Sequence, residues 1–121
     1  MIPLKFGLAT AGAHGFEQWT INGKSYDPNE RPRALARGHR YRLVFDNQSE
    51  DMHPVHFHRD SFELMSVNGK PTGGVIKDVV VVKAYQKVEA DLTPLIDGLS
   101  LFHCHQQLHM DHGFKMLFRV G

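Results

Sequence analysis

Apolar and polar residues alternate in short segments along this chain, without a convincing helical period. In the clearest segment Tyr41, Leu43 and Phe45 would share one face of an extended strand. Arg40 and Arg42 would share the opposite face, which predicts a strand that is buried on one side. Further strands are predicted over residues 16–21, 62–67, 79–82, 87–92, 99–104 and 114–120.

Residues that favour turns separate these segments. Asn22-Gly23 and Asn68-Gly69 are dipeptides typical of tight turns. Residues 27–38 are largely polar, contain two prolines and predict a connecting loop, while residues 106–112 could form one helical turn. Seven or eight short strands in 121 residues favour an all-β fold, a Greek-key β-sandwich or barrel in a single domain.

Length and charge limit what this domain can be. We assign residues 16–121 to the domain and interpret residues 1–15 as a leading strand or a former interdomain linker. The 14 basic and 13 acidic residues nearly cancel, which argues against nucleic acid or an acidic membrane as partner. No apolar stretch approaches the ~20 residues that cross a bilayer. The first residues lack a basic segment followed by an apolar one, so we expect any export signal to lie outside this sequence.

Two histidine clusters carry the candidate chemistry. The first consists of His53, His56 and His58. The second contains the only cysteine of the chain and consists of His103, Cys104, His105 and His109. A lone cysteine rules out an internal disulfide framework and says little directly about compartment.

Strand geometry sorts these side chains into two sets, because successive residues of a strand point to opposite faces. If both clusters are extended, one face presents a sulfur with two imidazoles, from His53, Cys104 and His109. Such a His₂Cys set is typical of blue-copper electron-transfer sites. The other face presents four imidazoles, from His56, His58, His103 and His105. An all-nitrogen set suits a copper that meets oxygen or water.

The two motifs resemble a known copper signature. His-Pro-x-His-x-His at residues 53–58, followed by His-Cys-His-x-x-x-His at residues 103–109, is similar to the pattern of multicopper oxidases. The resemblance covers roughly residues 16–120 and is specific to the C-terminal cupredoxin domain of these laccase-like enzymes. It extends to residues 19–25, 41–47, 62–63, 69–71 and 77–80. A fold of the cupredoxin type is therefore expected.

The resemblance also implies a role for each ligand. The type 1 copper would be held by His53, Cys104 and His109. His56 would contribute to the type 2 copper, and the paired type 3 coppers would be held by His58, His103 and His105. Copper is thus the expected cofactor.

The sequence departs from the family pattern in two ways. Phe114 stands at the axial position, and phenylalanine cannot coordinate, so we expect a relatively high reduction potential. Met116 shares its strand parity and is the alternative axial residue. Complete oxidases of the family hold the trinuclear cluster with eight histidines, half of them from another domain. The two clusters of this chain supply at most half of such a cluster.

The remaining candidates have ordinary interpretations beside them. Glu63 and Asp60 could orient an imidazole, although solvated strand or turn positions are the simpler interpretation. His14, His39 and His112 are isolated and are interpreted as surface or core residues. His56, His58 and Glu63 also resemble the first motif of cupins, which hold iron or manganese. That alternative leaves Cys104 unexplained.

Three functions fit these observations. The chain could be a redox domain that transfers single electrons through its His₂Cys copper. It could instead be a homo-oligomeric, laccase-like oxidase whose trinuclear site is assembled between chains. It could also bind or store copper without a redox partner. The resemblance implies a phenol, an aromatic amine or a metal ion as electron donor, oxygen as acceptor, and a periplasmic or secreted location.

Overall fold

A computed structural model describes residues 2–11, 16–23, 31–57, 61–104 and 115–121. Within these ranges the chain forms two β-sheets. The helical turn predicted at residues 106–112 lies outside the described residues. No helix in the described part of the chain is long and apolar enough to cross a membrane.

The first sheet has six strands in the order β2-β1-β4-β9-β6-β7. They are β1 (Ile2–Ala11), β2 (Phe16–Ile21), β4 (Tyr41–Asn47), β6 (Phe62–Val67), β7 (Lys70–Lys77) and β9 (Lys87–Leu92). Strand β1 pairs antiparallel with β2 and parallel with β4. Ile2, Leu4 and Phe6 of β1 are buried, so the first residues contribute to the core. The domain boundary placed at residue 16 stays a prediction.

The second sheet has five strands in the order β3-β11-β10-β5-β8. They are β3 (Arg33–Leu35), β5 (His53–Phe57), β8 (Val79–Val82), β10 (Gly98–Cys104) and β11 (Lys115–Val120). The two strands that carry the histidine motifs, β5 and β10, pair antiparallel near the middle of this sheet. Their position brings the two clusters together across one ladder.

The core lies between the two sheets and is rich in phenylalanine. Phe45 stacks on Phe102 with ring centroids 5.6 Å apart, and thus joins the two sheets. Phe6, Phe62 and Phe118 surround Phe102 at 6.3 to 6.5 Å. The two packed sheets confirm the predicted all-β sandwich.

Most predicted strands agree with the structure within two residues, and the differences have physical reasons. Strand β3 lies inside the segment 27–38 that was predicted to be a loop, so that prediction was wrong for these three residues. Strand β7 was not predicted, because its residues are largely exposed and include Pro71, Gly73 and Gly74. The tight turns occur where predicted, and positive φ angles of 55° at Asn22 and 49° at Asn68 show their left-handed backbone.

Candidate metal centre

The side chains of β5 and β10 alternate between the two faces of the five-stranded sheet. Cys104 lies opposite Val55, and His103 lies opposite His56. His53 and Cys104 are fully buried between the sheets. His103 is 7% exposed and His56 is half-buried, on the outer face of the same sheet. For these four residues the structure shows the arrangement that strand parity predicts.

The inner face brings a sulfur and an imidazole together. Cys104 Sγ lies 3.7 Å from His53 Nδ1. The His53 ring lies nearly perpendicular to the rings of Trp19 and Phe6, at centroid distances of 4.6 Å and 5.9 Å. These rings and the complete burial of both side chains exclude bulk water from the pair.

The other nitrogen of His53 contacts a polar group that the sequence did not single out. Ser49 Oγ lies 3.0 Å from His53 Nε2 and 2.7 Å from Asn47 Oδ1. Asn47, the last residue of β4, and Ser49, which follows that strand, are both buried, whereas polar residues at the end of a strand are ordinarily solvated. Asn47 belongs to the segment 41–47 of the family resemblance, but Ser49 gave no signal beyond its position four residues before His53.

The outer face brings two imidazoles together. The rings of His56 and His103 lie 5.7 Å apart, nearly perpendicular at 80°. His56 Nδ1 lies 2.8 Å from the carbonyl oxygen of Asp78, and His103 Nδ1 lies 2.9 Å from that of Cys104. A carbonyl oxygen can only accept, so each Nδ1 carries the proton. In the neutral ring Nε2 then has the lone pair that a metal requires.

The other predicted site residues are only partly covered by the structure. His58, His105, His109 and Phe114 lie outside the described residues, as do Asp60, His14 and His112. No group of three or more metal-binding side chains is found within the described ranges. Met116 lies opposite Phe102 and packs, partly buried, against the core. His39 is exposed.

Glu63 lies on the six-stranded sheet, away from the histidines of the other sheet. Its carboxylate pairs with Arg40 at 2.9 Å. Arg40 and Arg42 also donate from their Nε atoms to Asp91, at 2.6 and 2.7 Å. The hydrogen bond from Arg42, helped by Arg40, holds the pKa of the Asp91 carboxyl below its ordinary value although burial opposes this. A cupin site would require Glu63 beside the histidines, whereas its carboxylate is engaged by Arg40 on the other sheet.

The donors on the inner face fit copper. Thiolate and imidazole are the ligands of blue-copper sites. Metal bonds of about 2.3 Å to a thiolate and about 2.0 Å to an imidazole, as found for zinc, span the observed 3.7 Å when they meet at a near-trigonal angle. A buried cysteine and histidine between the sheets of an all-β sandwich define a copper protein of the cupredoxin class.

Comparison with known proteins places the chain within that class. Residues 4–121 match the family model of multicopper oxidases. The chain belongs to the multicopper oxidase family, whose members bind copper.

Two curated relatives are considerably longer than the chain. The multicopper oxidase MmcO of Mycobacterium tuberculosis is 37% identical over 95 residues, which are 78% of this chain and 18% of MmcO. The multicopper oxidase mco of Staphylococcus aureus is 34% identical over 108 residues, which are 84% of this chain and 24% of that protein. The chain thus spans about a fifth to a quarter of their length.

Solved structures show the same fold. A multicopper oxidase from Campylobacter jejuni, described as a metallo-oxidase, superposes with a TM-score of 0.85 and 24% identity. The superposition covers 98% of this chain and 29% of the other. A blue copper oxidase from Nitrosomonas europaea gives a TM-score of 0.85 at 18% identity, over 98% of this chain and 43% of the other.

Proposed function

We propose that the chain is a redox domain in which His53, Cys104 and His109 hold a type 1 copper that transfers single electrons. The observation that carries the proposal is the 3.7 Å distance between Cys104 Sγ and His53 Nδ1 in a fully buried site. Copper bound there supplies one-electron oxidation and reduction. The protein supplies a soft sulfur donor, a nitrogen donor and an apolar surrounding that excludes water.

The chain also provides a short route from the inner face to the outer face. Cys104 follows His103 directly, so the two side chains lie on opposite sides of one strand. His103 Nδ1 donates a hydrogen bond to the Cys104 carbonyl oxygen at 2.9 Å. The covalent path from Sγ to that oxygen and the hydrogen bond together connect the sulfur with the imidazole on the other face. This path would connect copper held on the inner face with copper held on the outer face for the transfer of single electrons.

The test of the type 1 site is the visible spectrum of the copper-loaded chain together with its copper content. We expect an intense blue band, because that band requires a bond between copper and thiolate. Cys104→Ser should abolish the band, whereas His39→Gln, which changes an exposed histidine, should leave it unchanged. A wild-type chain without the band, or a Cys104→Ser variant that retains it, would show that the assignment is wrong.

The axial position offers a second check of the same site. Phe114→Met should lower the reduction potential measured by voltammetry if residue 114 is axial, since a thioether axial ligand is one of the groups that set this potential. An unchanged potential would assign the axial role elsewhere, and Met116, which packs against the core, would be the next candidate.

The outer face favours a second candidate function, a homo-oligomeric oxidase. His56 and His103 lie side by side there, and His58 and His105 are the residues proposed to join them as type 2 and type 3 ligands. One copy supplies at most half of the histidines of a trinuclear site. Two copies whose outer faces meet would supply the rest, with oxygen as the electron acceptor.

Light scattering and copper content of the loaded chain test this assembly. An oligomer that binds more than one copper per chain and consumes oxygen would support the oxidase function. A chain that remains monomeric when loaded with copper would exclude that function. A phenol, an aromatic amine or a metal ion is the proposed electron donor, and a periplasmic or secreted location is proposed. The family membership supports both proposals. Copper binding without reversible reduction would instead indicate a storage module.

A further inference from the structure

A chain of three buried polar side chains lies behind the cysteine–histidine pair. Asn47 ends β4, Ser49 lies in the connection that follows, and His53 begins β5. The exposed fractions of these three residues are 1%, 6% and 0%, respectively. Buried polar groups of this kind are costly unless they are hydrogen-bonded. The positions of their hydrogen atoms can therefore be derived from their partners.

The orientation of the Asn47 amide is fixed by the backbone around it. Its Nδ2 lies 2.8 Å from the carbonyl oxygen of Asp51, 3.2 Å from that of Val82 and 2.9 Å from that of Lys83. Its Oδ1 accepts from the amide of Ser49 at 3.0 Å. A flipped amide would place an oxygen against three carbonyl oxygens and two donors against an N–H. Oδ1 must therefore face Ser49.

This orientation decides where the Ser49 hydroxyl sends its only proton. Ser49 Oγ and Asn47 Oδ1 are 2.7 Å apart, and the amide oxygen can only accept. The carbonyl oxygen of Asp51 is a more distant acceptor, at 3.3 Å. The Ser49 proton therefore points to Asn47. In the hydrogen bond of 3.0 Å between Ser49 Oγ and His53 Nε2, the histidine must then be the donor.

A neutral imidazole that carries its proton on Nε2 has its lone pair on Nδ1. Nδ1 is the atom that faces Cys104 Sγ at 3.7 Å. We propose that Asn47 and Ser49 are positioning residues that hold His53 in this tautomer and so prepare Nδ1 to bind the metal. The inference rests on the proposed role of His53 as a copper ligand. Trp19 and Phe6 pack against the ring and restrict its rotation, so the hydrogen bond sets the tautomer of an already oriented ring.

The first measurement uses the metal-free wild-type chain. Nitrogen chemical shifts of the neutral His53 ring, recorded by long-range proton–nitrogen NMR, report which nitrogen carries the proton. We expect the proton on Nε2. A proton on Nδ1 would overturn the proposal. This result depends neither on copper nor on any variant, so it tests the polar chain even if the proposed type 1 site is wrong.

The second measurement compares variants. Ser49→Ala should release the tautomer and weaken copper binding by about 10-fold or more, the usual effect of losing a group that orients a metal-binding histidine. Ser49→Thr keeps the hydroxyl and should restore both the tautomer and the affinity. Ser100→Ala is the matched control, because Ser100 is also buried but its Oγ has no hydrogen-bond partner within the described part of the chain.

The outcomes separate the two proposals. A folded Ser49→Ala variant with an unchanged tautomer, or with a changed tautomer but unchanged copper affinity, would overturn the positioning role. An equal loss of affinity in Ser100→Ala would also overturn it, since the effect would then be one of core packing. A wild-type chain with Nε2–H but without a copper–thiolate band would instead contradict the proposed type 1 site.

Discussion

The two faces of the five-stranded sheet use the same two strands for different chemistry. On the inner face His53 and Cys104 are fully buried among aromatic rings. On the outer face His56 and His103 donate to backbone carbonyl oxygens, and His56 is half-buried. An odd number of residues along each strand, three on β5 and one on β10, separates a dry site that contains sulfur from a group of imidazoles alone, of which His103 is buried and His56 half-buried. The difference shows that strand parity is sufficient to place two kinds of donor set back to back.

The faces also differ in what stabilises them. The inner face depends on apolar packing between the sheets, whereas on the outer face His56 and His103 hydrogen-bond to backbone carbonyl oxygens. The six-stranded sheet has a polar outer face as well, where Asp91 is held by Arg40 and Arg42. The outer histidines of the five-stranded sheet are candidate metal ligands, whereas Asp91 of the six-stranded sheet is held in ion pairs. Substitutions at the two places should therefore have different effects.

The largest effect on stability is expected on the inner face. Phe102→Ala should lower the free energy of unfolding by about 3–5 kcal/mol, because it opens a cavity where the rings of both sheets meet. Leu101→Ala changes the next residue, which is half-buried on the outer face, and should cost about 1 kcal/mol. Urea unfolding of the metal-free chain measures both. Similar losses in the two variants would contradict the division of the sheet into a packed and an open face.

An intermediate effect is expected at Asp91. Asp91→Asn removes the charged acceptor of two arginines and should cost about 1–2 kcal/mol near neutral pH, less than a fully buried pair because both arginines reach solvent. The exposed pair of Asp97 with Arg37 is the matched control. Asp97→Asn should change stability by about 0.5 kcal/mol or less. A larger loss at Asp97 than at Asp91 would contradict this ranking.

The same carboxylate predicts an acid dependence whose sign follows from its pKa. The folded state holds the pKa of Asp91 below the ordinary value of about 3.9. As the pH falls through that value, the unfolded chain takes up the proton first, so the stabilisation is present above it and is lost on acidification. Urea unfolding at several pH values between neutral and acid should therefore show a shallower dependence for Asp91→Asn than for wild type. Parallel curves would contradict the assignment.

Sequence patterns predicted those strands whose alternation of apolar and polar residues can be recognised within a short segment. From Arg42 to Asn47, β4 alternates between half-buried and buried residues. The His-x-His and His-Cys spacings define faces once the strands are extended. β3 was missed because three residues carry little pattern, and its partner, β11, lies far away in sequence. The two interpretations of residues 1–15 were left open for a similar reason, because β1 pairs in parallel with β4, a strand that is distant in sequence.

The candidate site was predictable to the same extent. The face of His53, Cys104, His56 and His103 followed from parity and agrees with the structure. The burial of Asn47 and Ser49 could not be predicted. It depends on residues that are distant in sequence, because the Asn47 amide donates to the carbonyl oxygens of residues 82 and 83. Long-range contacts of this kind leave no local periodicity.

A small effect on stability, and the sharpest test of the two faces, is expected at the outer histidines. His56→Gln removes a half-buried imidazole that donates to the carbonyl oxygen of Asp78, so the free energy of unfolding should change by about 1 kcal/mol or less. Copper content above one per chain should fall, whereas the blue band should stay, because Cys104 and His53 face the other way. Copper titration followed by visible spectroscopy measures both quantities. A blue band that shifts or disappears in His56→Gln would show that the two faces act as one site, and the parity argument would then describe the fold but not the chemistry.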